Sequence, residues 1–244
     1  MTNRGLAFVL ALLCGAAPLA GSAETAKAGR PLRSLTYDLQ MTVGMVRSIE
    51  RDAIGTAGST HGDFAGGTGS RGTITVDVLA ATDDHGIVAD VRENAEGRSR
   101  PPVRVAITGD GGLTYDPQQS HNVTNEEDAL LRWLARDFVR QEVRAPGGFW
   151  NVDTSSGRAR GAEHYRVLSA DGSLLKLDYK AESKSSGLGS GDMTRTGTVV
   201  YDARMSVPTD AHYKDIIHQQ QLGTYDTTEM AVQLRLVADS FAQK

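Results

Sequence analysis

From Leu35 to Val46 the chain alternates with a period of two: Leu35, Tyr37, Leu39, Met41, Val43 and Met45 are interleaved with Thr36, Asp38, Gln40, Thr42, Gly44 and Val46. That spacing places the apolar residues on one face of an extended strand and predicts a half-buried β-strand. The signature recurs at Ile74, Val76 and Val78, at Ile87, Ala89 and Val91, at Val103, Val105 and Ile107, and at Leu175, Leu177 and Tyr179. It closes the chain with Met230, Val232, Leu234 and Leu236. Between these runs lie Asp83-Asp84-His85-Gly86, Asp110-Gly111-Gly112 and Ala170-Asp171-Gly172-Ser173. These residues tolerate the positive φ of tight turns, and strands joined by short turns predict an antiparallel meander.

One segment departs from the period. Between Thr124 and Val143, residues Leu130, Leu131, Leu134 and Phe138 fall in a narrow arc at 100° per residue, with Trp133 and Ala135 at its margins, which predicts an amphipathic helix. Thr124 and Glu127 form a capping-box start, and Pro146-Gly147-Gly148 a stop. Two segments are too rich in glycine and small polar residues for a core element: Gly55 to Gly72, expected to be a long mobile hairpin tip, and the shorter stretch from Ser183 to Asp192. No repeat and no compositional break divides the rest, so residues 24–244 are expected to form a single β-rich domain.

The strand count comes to about nine to eleven, and at about 4.8 Å per strand a flat sheet of that size exceeds about 40 Å, whereas one helix is about 10 Å wide. One helix cannot cover it. The predicted fold is therefore mainly β (α+β): a large curved antiparallel sheet or half-barrel of about ten strands, with the helix at about 124–143 packed in its concave face. In outline this resembles exported carriers of lipids and lipoproteins, which bend an antiparallel sheet around a helix; no diagnostic motif accompanies the likeness.

The amino terminus sets the expected compartment. Arg4, nine apolar residues from Leu6 to Cys14 and the small residues Gly21 and Ala23 read as a secretory signal over residues 1–23, and Gly15, Pro18 and Gly21 cut the apolar run short of a membrane span. Leu13 before Cys14 does not suit a lipid-attachment site. Cleavage would remove the only cysteine, and with it any disulfide, thiolate metal site or cysteine nucleophile. No later segment is apolar long enough to span a bilayer, so a periplasmic or secreted product is expected.

Composition narrows the classes further. Of the 244 residues, 39% are hydrophobic and 23% charged, which fits a folded globular chain, and the net charge of −4 is far from the basic balance of a nucleic-acid binder.

The chemistry-bearing motifs fail on geometry. Gly67-Thr68-Gly69-Ser70-Arg71-Gly72 spells GxGxxG but is followed by a strand, where the dinucleotide fingerprint needs a helix. Ser173 and Lys176 spell SxxK at the head of a strand, where residues three apart point to opposite faces. No GxSxG elbow occurs. His61, His85, His121, His164, His212 and His218 are scattered without metal-ligand spacing, and His212 and His218 would share a strand face about 20 Å apart. Glu126, Glu127 and Asp128 are accounted for by the helix dipole. Asn122-Val123-Thr124 is a glycosylation acceptor only in a eukaryotic host.

The expectation is thus a non-enzymatic exported binding protein with neither cofactor nor metal, whose concave sheet holds a lipid or other hydrophobic small molecule against Tyr37, Met41, Trp133 and Phe138. Two alternatives stand beside it: an envelope structural or adhesion protein that meets a protein partner through strand edges or the glycine-rich tip, and an exported hydrolase whose site the motifs do not reveal.

Overall fold

A computed structural model describes residues 24–25, 30–49, 68–95, 98–115, 123–156, 159–185, 190–221 and 224–241. The expected leader, Cys14, and residues 55–67 of the expected glycine-rich tip lie outside the described residues, as do His61, His121 and Asn122.

The strands are β1 (Glu24–Thr25), β2 (Arg33–Ile49), β3 (Thr68–Ala81), β4 (Ile87–Ala95), β5 (Arg98–Ser99), β6 (Val103–Ile107), β7 (Leu113–Tyr115), β8 (Phe149–Ser156), β9 (Ala159–Asp171), β10 (Leu174–Ser185), β11 (Ser190–Asp202), β12 (Val207–Gln221) and β13 (Thr224–Asp239). One helix, α1 (Asn125–Trp133), lies between β7 and β8. Eleven strands form a single curved, unclosed antiparallel sheet in the order β7-β6-β4-β3-β2-β13-β12-β11-β10-β9-β8, with the two-residue β1 and β5 attached to β3 and β4. The expected half-barrel with one helix is the observed architecture. Thr68 to Gly72, expected in a loop, instead begin β3, because Gly69, Arg71 and Gly72 pair with Thr42, Gln40 and Leu39 of β2. Ser183–Ser185 and Ser190–Asp192 likewise extend β10 and β11, where each side pairs with the other.

The curvature follows from what α1 touches. The Thr124 hydroxyl donates to Glu93 of β4 (3.1 Å), and Asp128 accepts from the Tyr115 hydroxyl of β7 (2.9 Å). Trp133 meets Tyr165 of β9, Tyr179 of β10 and Tyr213 of β12. Strands from both flanks of the sheet thus reach one nine-residue helix, and a flat sheet could not bring them there.

The helix is shorter than the spacing predicts. It begins at the expected capping box, with Thr124 Oγ1 accepting from the Glu127 N–H (3.2 Å) and Glu127 Oε2 accepting from the Thr124 N–H (2.9 Å). It ends at Trp133, and the chain continues through turns in which Ala135 N–H donates to the Arg132 carbonyl and Asp137 N–H to the Gly109 carbonyl, before a 3-10 turn at Gln141–Val143. The reason is burial. Ala129, Leu130, Leu131, Trp133, Leu134, Ala135, Phe138 and Val139 are all buried, more than one helical stripe can present. Sheet surrounds the segment on several sides, so a turning backbone buries these side chains better than a straight helix.

An aromatic row crosses the inner face beneath α1. Trp150, Tyr165, Tyr179, Gly197, Tyr213, Val232 and Met41 are successive partners across β8, β9, β10, β11, β12, β13 and β2. Tyr165 stacks on Tyr179 (4.8 Å between centroids), and Trp133 sets its edge against Tyr179 and Tyr213, the residues flanking Gly197. A Cβ on Gly197 would meet the His212 carbonyl oxygen at 2.2 Å and Tyr213 Cα at 2.6 Å, so the row requires glycine there.

Four register shifts, at Leu79, Leu168, Thr209 and Val237, lie toward one end of the sheet. Each adds one residue to a strand, which bends it and sharpens its twist. They also explain why Leu168 and Val237 face solvent: an extra residue in a bulge falls out of phase with the buried face.

Candidate functional site

The end of the sheet where the bulges gather contains an apolar cavity of about 320 Å³. Its floor is Leu35 of β2, Val78 of β3, Leu134 just past α1, and Val207 of β12; Leu32, Ile87 and Phe241 form its walls. Leu35 and Val78 face inward through the strand period, and the bulge at Leu79 turns the end of β3 so that Ala81 also lines the space. Leu32 and Phe241 leave substantial apolar surface exposed at the mouth.

One side of the cavity is held rigidly. Arg33 grips Asp239 through Nε–Oδ1 (3.1 Å) and Nη2–Oδ2 (2.6 Å), donates from Nη1 to the Met205 carbonyl (2.9 Å), and lies over the Phe241 ring at 5.1 Å. Burial raises the Asp239 pKa, but the hydrogen bonds from Arg33 and the Phe241 N–H outweigh it and leave the carboxyl below its ordinary value. Behind this pair Tyr37 is fully buried with no hydrogen-bond partner for its hydroxyl, and burial raises its pKa.

The opposite rim is the expected turn. Thr82 N–H donates to the Gly86 carbonyl (2.9 Å), the Thr82 hydroxyl bonds Asp84, and His85 takes φ 63°. That hydroxyl bond lowers the Asp84 pKa. A Cβ on Gly86 would meet the Ile107 carbonyl oxygen at 2.6 Å, so the close approach of this turn to β6 needs glycine. His85 Nδ1 stands 3.5 Å from Asp137 Oδ2, tying the turn to the chain after α1. No protein-family profile matches the chain, and comparison with curated proteins finds no match.

Of the residues expected to line a ligand, Tyr37, Trp133 and Phe138 share one buried cluster, against which Met41 packs. Tyr37, Trp133 and Phe138 are buried among side chains: Trp133 Nε1 donates to the Tyr165 hydroxyl (3.1 Å), and Phe138 packs edge-on against Tyr165 and Trp150. Met41 is half-buried and borders a separate cavity of about 610 Å³ that also includes Gln40, Thr42, Arg71, His212 and Gln233. Sequence reasoning missed Leu32, Leu134, Val207 and Phe241, because they come from four distant stretches that meet only in the folded sheet. Of these only Leu134 carried a visible signal, as part of the helical arc.

A polar layer runs along α1. Arg195 and Asp215, opposite one another on β11 and β12, form a buried two-point ion pair (2.6 and 2.7 Å). Arg132 bonds Asp128 (3.1 Å) and approaches Glu163 (3.8 Å), and Glu163 accepts from the Tyr165 hydroxyl (2.6 Å). Burial raises the pKa of Glu126 and Glu163 and pushes Glu127 up to about 7, with Glu93 adding to the last. The first turn of α1 is therefore buried, which the helix dipole alone did not foretell. A cleft of about 180 Å³ opens beside Arg132, Glu163, Tyr179 and Arg195. Both arginines already hold carboxylates, Arg195 within the sheet and Arg132 within α1, and the approach of Arg132 to Glu163 links α1 to β9.

A third cavity, of about 470 Å³, brings Ser185, Ser190, Asp192 and His218 together, the residue types of a hydrolytic triad. The bonding is not that of a triad: His218 Nδ1 bonds the Thr227 hydroxyl (3.0 Å), and the Ser185 hydroxyl donates to the Gly191 carbonyl (3.4 Å). Among the described residues no group of His, Cys, Asp and Glu has a metal-holding arrangement, and no helix is long and apolar enough to cross a membrane.

Proposed function

We propose that the protein is a non-enzymatic binding protein, acting after export, whose apolar cavity at the bulged end of the sheet receives a hydrophobic or lipid-like ligand. The observation that carries this reading is the cavity itself: about 320 Å³, floored by Leu35, Val78, Leu134 and Val207, and open at a mouth where Leu32 and Phe241 are exposed. The ligand enters beside the helix and not beneath it, since Trp133 and Phe138 already fill the concave face.

The test is a titration with the neutral fluorescent probe N-phenylnaphthylamine. Saturable binding is expected in the wild type and its loss in Ala81→Trp, which fills the cavity from the rim without touching the core. A wild type that shows no saturable binding would overturn the reading.

A second reading, an envelope structural or adhesion protein, is favoured by β8. This eight-residue strand ends the sheet, and its Phe149 is 67% exposed, a combination suited to addition of a partner's strand. A photo-crosslinker placed at position 149 should then label one protein in the envelope of producing cells; absence of labelling retires it.

A further inference from the structure

The charges around the apolar cavity are one-sided. Its described lining includes Arg33, Arg136 and His85 but no aspartate or glutamate, although the whole chain carries a net charge of −4. Two nearby carboxylates are engaged, Asp239 by Arg33 and Asp84 by Thr82 and Gly86, while Asp137 stands 3.5 Å from His85. Arg33 is committed to Asp239, Met205 and Phe241. Arg136 is exposed and lines the cavity just past α1, beside Leu134; no described residue forms an ion pair or hydrogen bond with its guanidinium. An apolar chamber with one unengaged cation at its rim complements a molecule that has an apolar body and one negative end.

We propose that the ligand is a single-chain anionic amphiphile, its alkyl chain lying over Leu35, Leu134 and Val207 and its carboxylate-type head paired with Arg136. This rests on the reading of the cavity as a hydrophobic-ligand site and adds the class of head group. The chamber, about 320 Å³ and open at its mouth, is of a size for a medium-length alkyl chain.

Calorimetric titration of the full mature chain with decanoate, decanol and decyltrimethylammonium, each below its micelle-forming concentration, separates tail from head. Decanoate is expected to bind roughly fivefold or more tighter than decanol, with the cation weakest, and the gap should narrow at 1 M salt because the rim is open to solvent. Arg136→Ala should bring decanoate down to the affinity of decanol, while Ala81→Trp should abolish both. Arg136 is exposed and packs no core, so its variant is expected to melt with the wild type. Equal binding of decanoate and decanol to the wild type would overturn the head-group inference and leave the cavity reading standing. Failure of all three to bind would overturn both.

Discussion

Arg195 on β11 and Asp215 on β12 are direct register partners whose side chains join through two parallel hydrogen bonds inside the concave face, with the guanidinium 4.3 Å above the Tyr213 ring. Asp215 is wholly buried, so removing either partner strands a charge. Asp215→Ala should cost about 3–5 kcal/mol in urea denaturation, whereas the paired change Arg195→Met with Asp215→Leu should restore most of it. A single-variant cost under about 1 kcal/mol would show that the pair is wetter than the structure describes.

Glu127 gives stability a definite pH dependence. Its folded pKa of about 7 lies above the ordinary 4.5, mainly through burial, so the folded state favours the protonated acid. The contribution is full below about pH 4.5 and is lost as the pH rises through 7, at most about 3 kcal/mol. Glu126 and Glu163 are shifted in the same direction. The wild type should therefore lose stability between pH 5 and 8 more steeply than Glu127→Gln, whose amide keeps the N3 cap without a charge. Parallel curves for the two proteins would refute the assignment.

The chain Trp133 Nε1 to Tyr165 hydroxyl to Glu163 is buried throughout. Tyr165→Phe leaves the indole N–H without an acceptor and the carboxyl without its donor, at an expected cost of about 1–3 kcal/mol. Chemical denaturation measures that cost, and the emission of Trp133 should shift as its polar contact is lost.

Gly197→Ala tests the aromatic row. Its Cβ has backbone 2.2 Å away, and β11 cannot withdraw without separating Tyr179 and Tyr213 from Trp133. A loss of several kcal/mol, or failure to fold, is expected. Thermal unfolding of the purified variant decides it, and a melting point within a degree of the wild type would be the contrary result.

Strands with apolar inward positions were legible from spacing alone: β2, β3, β4, β6, β10 and β13 all show it. β9, β11 and β12 show it poorly because several of their inward positions hold Glu163, Arg195, Gly197 and Asp215. Buried charge erases the apolar period that marks a strand, although the threonine and valine content of Thr194 to Val200 was a usable hint. The need for curvature was also readable, since it follows from strand number against helical cover. The cavity was not, because its lining comes from stretches far apart in the chain, and no local pattern distinguishes the bulged Leu79 at its edge from its neighbours. The early end of α1 was hidden for a related reason: periodicity reports a stripe, and this segment is enclosed.

The strand order runs from β7 back to β2, then crosses to β13 and descends to β8. The molecule is thus two ribbons, each built of sequence-local hairpins, sewn together by a single seam between the first long strand and the last. That seam can close only after nearly the whole polypeptide is available, so it should be the slow event of self-assembly, while the ribbons form early. Trimming either terminus would not shorten a border of the sheet; it would unpick the stitching at its centre.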